Sequence, residues 1–189
     1  DNFMDTKFGS GWAWDDYQYY YSPERNAFPL YGNVVMIHKD TSLLVSPTYF
    51  KDSILQIRNT KNRKETSNLF FYPPNYADTI EIPFITNTLN TKAILEQALN
   101  KPILNRSKMS IGTKQTLPGI QADSLYIRMM HESDNFIAEQ LLVLAASTLK
   151  DTLNSGLARE YILEHELNQL AQTPRWVDGS GLSRYNLFT

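Results

Sequence analysis

The chain has 189 residues, 42% of them hydrophobic, and a formal net charge of −2; it can bury a real core and fits one domain, or one domain with a smaller satellite. Lysine and arginine are scattered rather than clustered, which excludes the basic stripe that phosphate backbones require, so nucleic acid is no partner. With no cysteine, disulfides, thiolate metal sites and cysteine nucleophiles are excluded as well. No run approaches the roughly 18 to 20 apolar residues of a transmembrane segment. The start, Asp1-Asn2-Phe3-Met4-Asp5, lacks the charged and apolar regions of a signal peptide, as expected of a mature or trimmed chain. His38, His131 and His165 fall in no metal-ligand spacing and read as ordinary packing or surface residues, so no metal or other cofactor is expected.

Residues 1–30 read as an aromatic loop segment, with Trp12, Trp14 and Tyr19-Tyr20-Tyr21 packing a core or junction in preference to stacking on glycan. Residues 31–90 are strand-rich. Val34-Val35-Met36-Ile37 and Leu43-Leu44-Val45 form a hairpin across the polar residues 38–42, and further strands are predicted at 54–58, 69–72 and 79–82. The run 59–66 carries almost no apolar residue and predicts an exposed, mobile loop.

From 91 to 189 the pattern is helical. Ala93, Ile94, Ala98 and Leu99 start it from about Thr91, and Asp123 can cap a helix through Leu125, Ile127, Met129 and Met130. Ser133 or Asp134 caps the next, over 136–150, whose apolar residues lie on nearly every face and predict burial. A last helix is predicted over 157–171, ending before Pro174.

Ser133-Asp134-Asn135, at the head of that apolar helix, is a cap and also a chemical pairing. A serine hydroxyl can pass a proton, and a neighbouring amide can grip a substrate amide. Further along, Asp178-Gly179-Ser180-Gly181-Leu182-Ser183 places glycines around a serine, which permits a tight turn and close approach to a ligand or another backbone.

Four runs occur in one order. They are Gly11-Trp12-Ala13-Trp14-Asp15-Asp16, Tyr21-Ser22, the stretch from Met130-His131-Glu132-Ser133-Asp134-Asn135 to Leu142, and Asp178-Gly179-Ser180-Gly181-Leu182-Ser183-Arg184-Tyr185-Asn186. Together they resemble the penicillin-binding D-alanyl-D-alanine carboxypeptidases and endopeptidases, of the low-molecular-mass class C branch with a large insertion in the acyl-transfer domain. The resemblance runs from near residue 10 to the C-terminus and is loose over 50–120.

It implies an α+β fold, part of a β-lactamase/DD-peptidase-like transpeptidase domain, mainly its helical portion, with a strand-rich inserted region. Residues 1–30 would lead out of the acyl-transfer domain, 31–90 would belong to the insertion, and 91–189 would be the helix-rich portion. Of the family's three elements, only Ser-x-Asn is in place. The Ser-x-x-Lys nucleophile is expected before residue 1 and the Lys-Thr-Gly strand after residue 189, so a central fragment, inactive alone, is expected.

Ser147-Thr148-Leu149-Lys150 matches the nucleophile motif literally. At about 1.5 Å per residue it lies roughly 20 Å along the helix from Ser133 and reads as coincidence. By resemblance, Ser133 would relay a proton to the departing D-alanine nitrogen, and Asn135 would donate to a substrate carbonyl. Asp16 and Tyr21, with Leu182 and Arg184, would form a pocket for a zwitterionic diamino-acid side chain, the phenol and carboxylate suiting an ammonium and the guanidinium a carboxylate. The implied partners are peptidoglycan stem peptide and, for the intact enzyme, β-lactams, in the periplasm or another extracytoplasmic compartment of a bacterium. The competing expectation is a non-catalytic peptidoglycan-binding module descended from that family.

Overall fold

Val35 and Ile37 are buried on either side of the exposed Met36, the period-two alternation of a strand with one face on a core. In the computed structural model, which describes residues 2–105 and 118–188, they belong to β1 (Val34–Lys39). This strand pairs antiparallel with β2 (Leu43–Ser46) on one side and, after β3 (Ile54–Leu55) and β4 (Phe70–Phe71), with β5 (Ile80–Pro83) on the other. Ile37 faces Val45, and Val35 faces Ile82. β3 and β4 form a separate parallel pair. They are shorter than the alternation predicts, because Ile57 turns its N–H back to the Leu55 carbonyl and ends pairing.

Phe50, from a 3-10 turn over Thr48–Ser53, packs against Phe70 and Phe84 with ring centroids 5.4 and 5.0 Å away. The next element, α1 (Thr88–Leu99), begins at Thr88 rather than near Thr91. Asn87 and Asn90 cap each other reciprocally there, Asn90 N–H donating to Asn87 Oδ1 at 2.9 Å and Asn87 N–H to Asn90 Oδ1 at 3.0 Å. Ile94 of α1 joins the sheet's core.

A second, smaller core lies between α3 (Asn135–Leu149) and α4 (Ser155–His165), where Leu142, Ala146 and Ala158 pack with Trp176. The helix α4 stops at His165, short of the predicted 171, and Leu167 N–H returns to the Ile162 carbonyl in a closing turn. In α2 (Ala122–His131) Gln121, without a side-chain capping bond, and not Asp123 holds the N-cap position; Asp123 sits in the first turn, where a carboxylate meets the positive end of the helix dipole. The expectation that α3, apolar on nearly every face, is buried is corrected: Leu144 is exposed, while Glu139 is among its buried residues.

The loop over 59–66 is exposed at 59–61 and 64–66, as expected, with one exception. Arg63 is only 2% exposed, and its guanidinium donates to the carbonyls of Lys64, Glu65, Ser67 and Tyr17 at 2.9–3.4 Å. Its Cζ also lies 4.8 Å from the centre of the Tyr17 ring. A polar run can thus be tied down from within by one inward-turned cation.

Candidate functional site

The junction of α2 and α3 is built by local hydrogen bonding. Asp134 N–H donates to the Met129 carbonyl at 3.1 Å, and Glu132 N–H to the Arg128 carbonyl at 2.9 Å. This closure of a helix C-terminus normally places glycine where Ser133 stands. Ser133 has a φ of +53°, a left-handed conformation costing an ordinary residue about 1–2 kcal/mol. The next residue starts α3: Asp134 Oδ1 accepts from Ile137 N–H at 3.0 Å, and Arg128 Nε braces its Oδ2 at 2.8 Å. Arg128 is held even more firmly cationic than usual, first by this hydrogen bond.

Strain at Ser133 presents its hydroxyl at the surface, with no hydrogen bond to any described residue. Asn135 follows on the first turn of α3 and donates from Nδ2 to the Tyr21 carbonyl at 3.0 Å. Its Oδ1 and second amide hydrogen have no partner among the described residues. Ser133, Asn135 and Tyr21 line one cleft of about 700 Å³, with Tyr31 opposite and Glu81 of β5 and Arg128 among its charged walls. The cleft therefore lies between the strand-rich region and the α2–α3 corner.

Tyr21 is tied to Asp16, its phenol donating to Oδ1 at 3.0 Å. Burial, and then that hydrogen bond, push the phenol up to about 12. Asp16 does not line the cleft, nor do Leu182 and Arg184. Leu182 is half-buried, and Arg184 is exposed with no ion pair among the described residues. The intervening Ser183 donates from Oγ to the Ser10 carbonyl at 2.6 Å, which seats this turn against the start of the Trp-rich segment. The structure thus joins Asp16 to Tyr21 and Tyr21 to Asn135, whereas Leu182 and Arg184 lie outside the cleft without direct bonds to the other four.

Two buried carboxylates hold these segments together. Asp178 Oδ2 accepts from Trp12 Nε1 at 2.7 Å and from Ser183 N–H at 2.6 Å, while Oδ1 accepts from Gly181 N–H at 3.0 Å and Asn186 Nδ2 at 2.7 Å. Glu139 Oε1 accepts from Gly179 N–H at 3.0 Å, Ser180 N–H at 2.9 Å and the Ser180 hydroxyl at 2.7 Å. Its Oε2 accepts from Arg25 Nη1 at 3.2 Å. Burial raises the Glu139 carboxyl above the usual range, against the opposing pull of Ser180 and Arg25.

The glycines serve this joint in different ways. A side chain on Gly179 would come within 2.8 Å of the Ala138 carbonyl oxygen and of Leu142, so only glycine can seat on α3, and Gly181 takes a φ of +77°. The Asp-Gly-Ser-Gly turn is thus first a structural joint. Arg25 and Glu139 were not among the residues singled out from sequence. The available signal was a carboxylate on the buried stripe of an apolar helix, one turn after Asn135.

No family model matches the chain, and no curated protein matches it. Among solved structures, the crystal structure of penicillin binding protein 4 (dacB) from Haemophilus influenzae is similar over 98% of this chain and 48% of that one, at 17% sequence identity and a TM-score of 0.65. The chain therefore spans about half the length of that protein. Its architecture is an α+β fold of the penicillin-binding-protein kind.

Proposed function

We propose that this chain supplies the proton-relay and substrate-gripping part of a serine D-Ala-D-Ala carboxypeptidase or endopeptidase site acting on peptidoglycan, in an extracytoplasmic compartment of a bacterium. The observation that carries this reading is the cleft in which the unpartnered Ser133 hydroxyl and the half-engaged Asn135 amide stand together. A left-handed serine where glycine is the ordinary choice supports it, because such strain is characteristic of sites where a side chain must be presented.

In this role Asn135 donates its free N–H to a carbonyl of the stem peptide and holds it for attack. Ser133 passes a proton to the departing D-alanine nitrogen, once a nucleophilic serine and its lysine have formed the acyl-enzyme. Tyr21 and Asp16 offer a phenol and a carboxylate to an ammonium, and Arg184 beside Leu182 offers a guanidinium to a carboxylate, so a diamino-acid side chain is the matching ligand. β-Lactams are the corresponding inhibitors of the complete site.

A non-catalytic peptidoglycan-binding module is the second reading, favoured by two observations. No lysine among the described residues lines the cleft, and Ser147, whose hydroxyl donates to the Leu144 carbonyl at 2.6 Å, lies at the far end of α3 from Ser133. Titration of the chain with a stem pentapeptide ending in D-Ala-D-Ala tests what both readings share. Binding that weakens in Asn135→Ala and Arg184→Ala supports the site, and unchanged affinity in both removes it. A fluorescent penicillin should not attach covalently to this chain; a labelled serine would overturn the assignment of its roles. Coding sequence flanking the chain separates the readings, since Ser-x-x-Lys before it and Lys-Thr-Gly after it belong only to the enzyme.

A further inference from the structure

Glu139 divides its two oxygens between two tasks. One faces Arg25, which Asp5 also pairs at 3.3 Å, so the guanidinium already has a second carboxylate. The other collects three donors from a single two-residue piece of the turn, Gly179-Ser180. Neutralising Arg25 requires only the first. An apolar contact between the turn and α3 would hold the two together without specifying register, whereas three directional bonds to one 1%-exposed carboxylate specify it.

The turn is also seated directly on α3, with Gly179 against the Ala138 carbonyl. Ala138 and Glu139 follow Asn135 by one helical turn, so the seat and the Ser133–Asn135 corner share one rigid piece of helix. From the other end of the same turn, Asp178 reaches Trp12, in the segment that leads to Asp16.

We infer that Glu139 is a positioning residue: it sets residues 180–184 in register with Ser133 and Asn135, so that Leu182 and Arg184 meet a peptide side chain while the corner holds the reacting bond. This assignment rests on the proposed function for its ligand, but its geometry can be tested separately.

Three variants of the full chain separate positioning from charge balance. Glu139→Gln keeps the shape but must turn an N–H toward either Arg25 or the turn. Glu139→Asp keeps the charge beside Arg25 and draws the acceptor back by about 1.5 Å, one carbon–carbon bond. Ser180→Ala leaves every charge in place and removes one bond from Glu139 to the turn, together with the 3.3 Å bond that Ser180 Oγ accepts from Leu182 N–H.

The readouts are amide hydrogen exchange at 182–184, the dissociation constant for a stem pentapeptide with a diamino acid at its third position, and the melting temperature. Glu139→Asp should recover most of the melting temperature lost in Glu139→Gln, while its peptide affinity stays about tenfold weaker than that of the unaltered chain. Ser180→Ala should weaken binding about threefold, the loss expected from one hydrogen bond. Exchange at 182–184 should quicken in both Glu139 variants, and at Ser183, whose N–H bonds Asp178, in Ser180→Ala as well.

Unchanged exchange in folded variants overturns the positioning, and so does unchanged peptide affinity. If the unaltered chain binds no peptide but exchange still quickens in the variants, the proposed function falls and the placement of the turn by Glu139 stands.

Discussion

Two arginines are buried among the described residues, and they are solvated in opposite ways. Arg25 meets the carboxylates of Glu139 and Asp5, and donates further to Ser155 Oγ, Thr6 Oγ1 and the carbonyls of Thr6 and Phe8. Arg63 has no carboxylate within ion-pair distance among the described residues and is caged by carbonyls and the Tyr17 ring, with its Nε unpartnered. The first ties together segments remote in sequence, around the candidate site. The second closes a loop mostly on its own neighbours. A charge-paired joint specifies distances between segments, whereas a carbonyl cage only needs the loop to wrap around it.

The comparison breaks or sharpens under substitution. Arg25→Met takes the paired guanidinium away from the buried Glu139 and the half-buried Asp5 and should cost about 3–5 kcal/mol, measured by urea unfolding. Arg63→Met leaves carbonyls but no stranded charge, and removes a guanidinium whose proton affinity burial already lowers; about 1–3 kcal/mol is expected. Equal losses would show that the carboxylates around Arg25 add nothing beyond its carbonyl contacts.

The pH dependence of stability distinguishes the two regions as well. Burial works against ionised Asp5, yet hydrogen bonds from Ser155 and the charge of Arg25 hold its carboxyl below the usual range. Its contribution is therefore complete above the ordinary carboxylate range and is lost as pH falls through its lowered value. Glu139, raised by burial, acts in the opposite sense: its share declines as pH climbs from the ordinary range toward its raised value. Asp5→Asn should consequently flatten the acid limb of a melting-temperature profile, and Arg63→Met should leave that limb intact.

The smallest expected effect has the opposite sign. Ser133→Gly relieves about 1–2 kcal/mol of left-handed strain and returns about 0.4–1 kcal/mol to the unfolded chain, a net gain of about 0.5–1 kcal/mol in thermal unfolding. If stem-peptide binding weakens as stability rises, the strain serves the site. A variant that is destabilised would instead mean that the hydroxyl supports the fold.

Much of the architecture could be read directly. The alternation of Val35, Met36 and Ile37 placed a half-buried strand, and Ser133-Asp134-Asn135 marked the helix junction, because both signals are local and repeat within a few residues. Helix ends were less legible: the reciprocal Asn87–Asn90 cap and the stop at His165 depend on backbone bonds that hydrophobic spacing does not encode.

The sequence by itself determined the order of the elements, the strand-rich and helix-rich halves, and the pairing of a hydroxyl with an amide at one helix start, since each follows from neighbours along the chain. Only the tertiary structure decided which charged side chains turn inward. Arg63 in a polar run and Glu139 in an apolar helix look alike as isolated charges. Their burial depends on partners that folding brings to them: the Tyr17 carbonyl for one, Arg25 and the Gly179–Ser180 amides for the other.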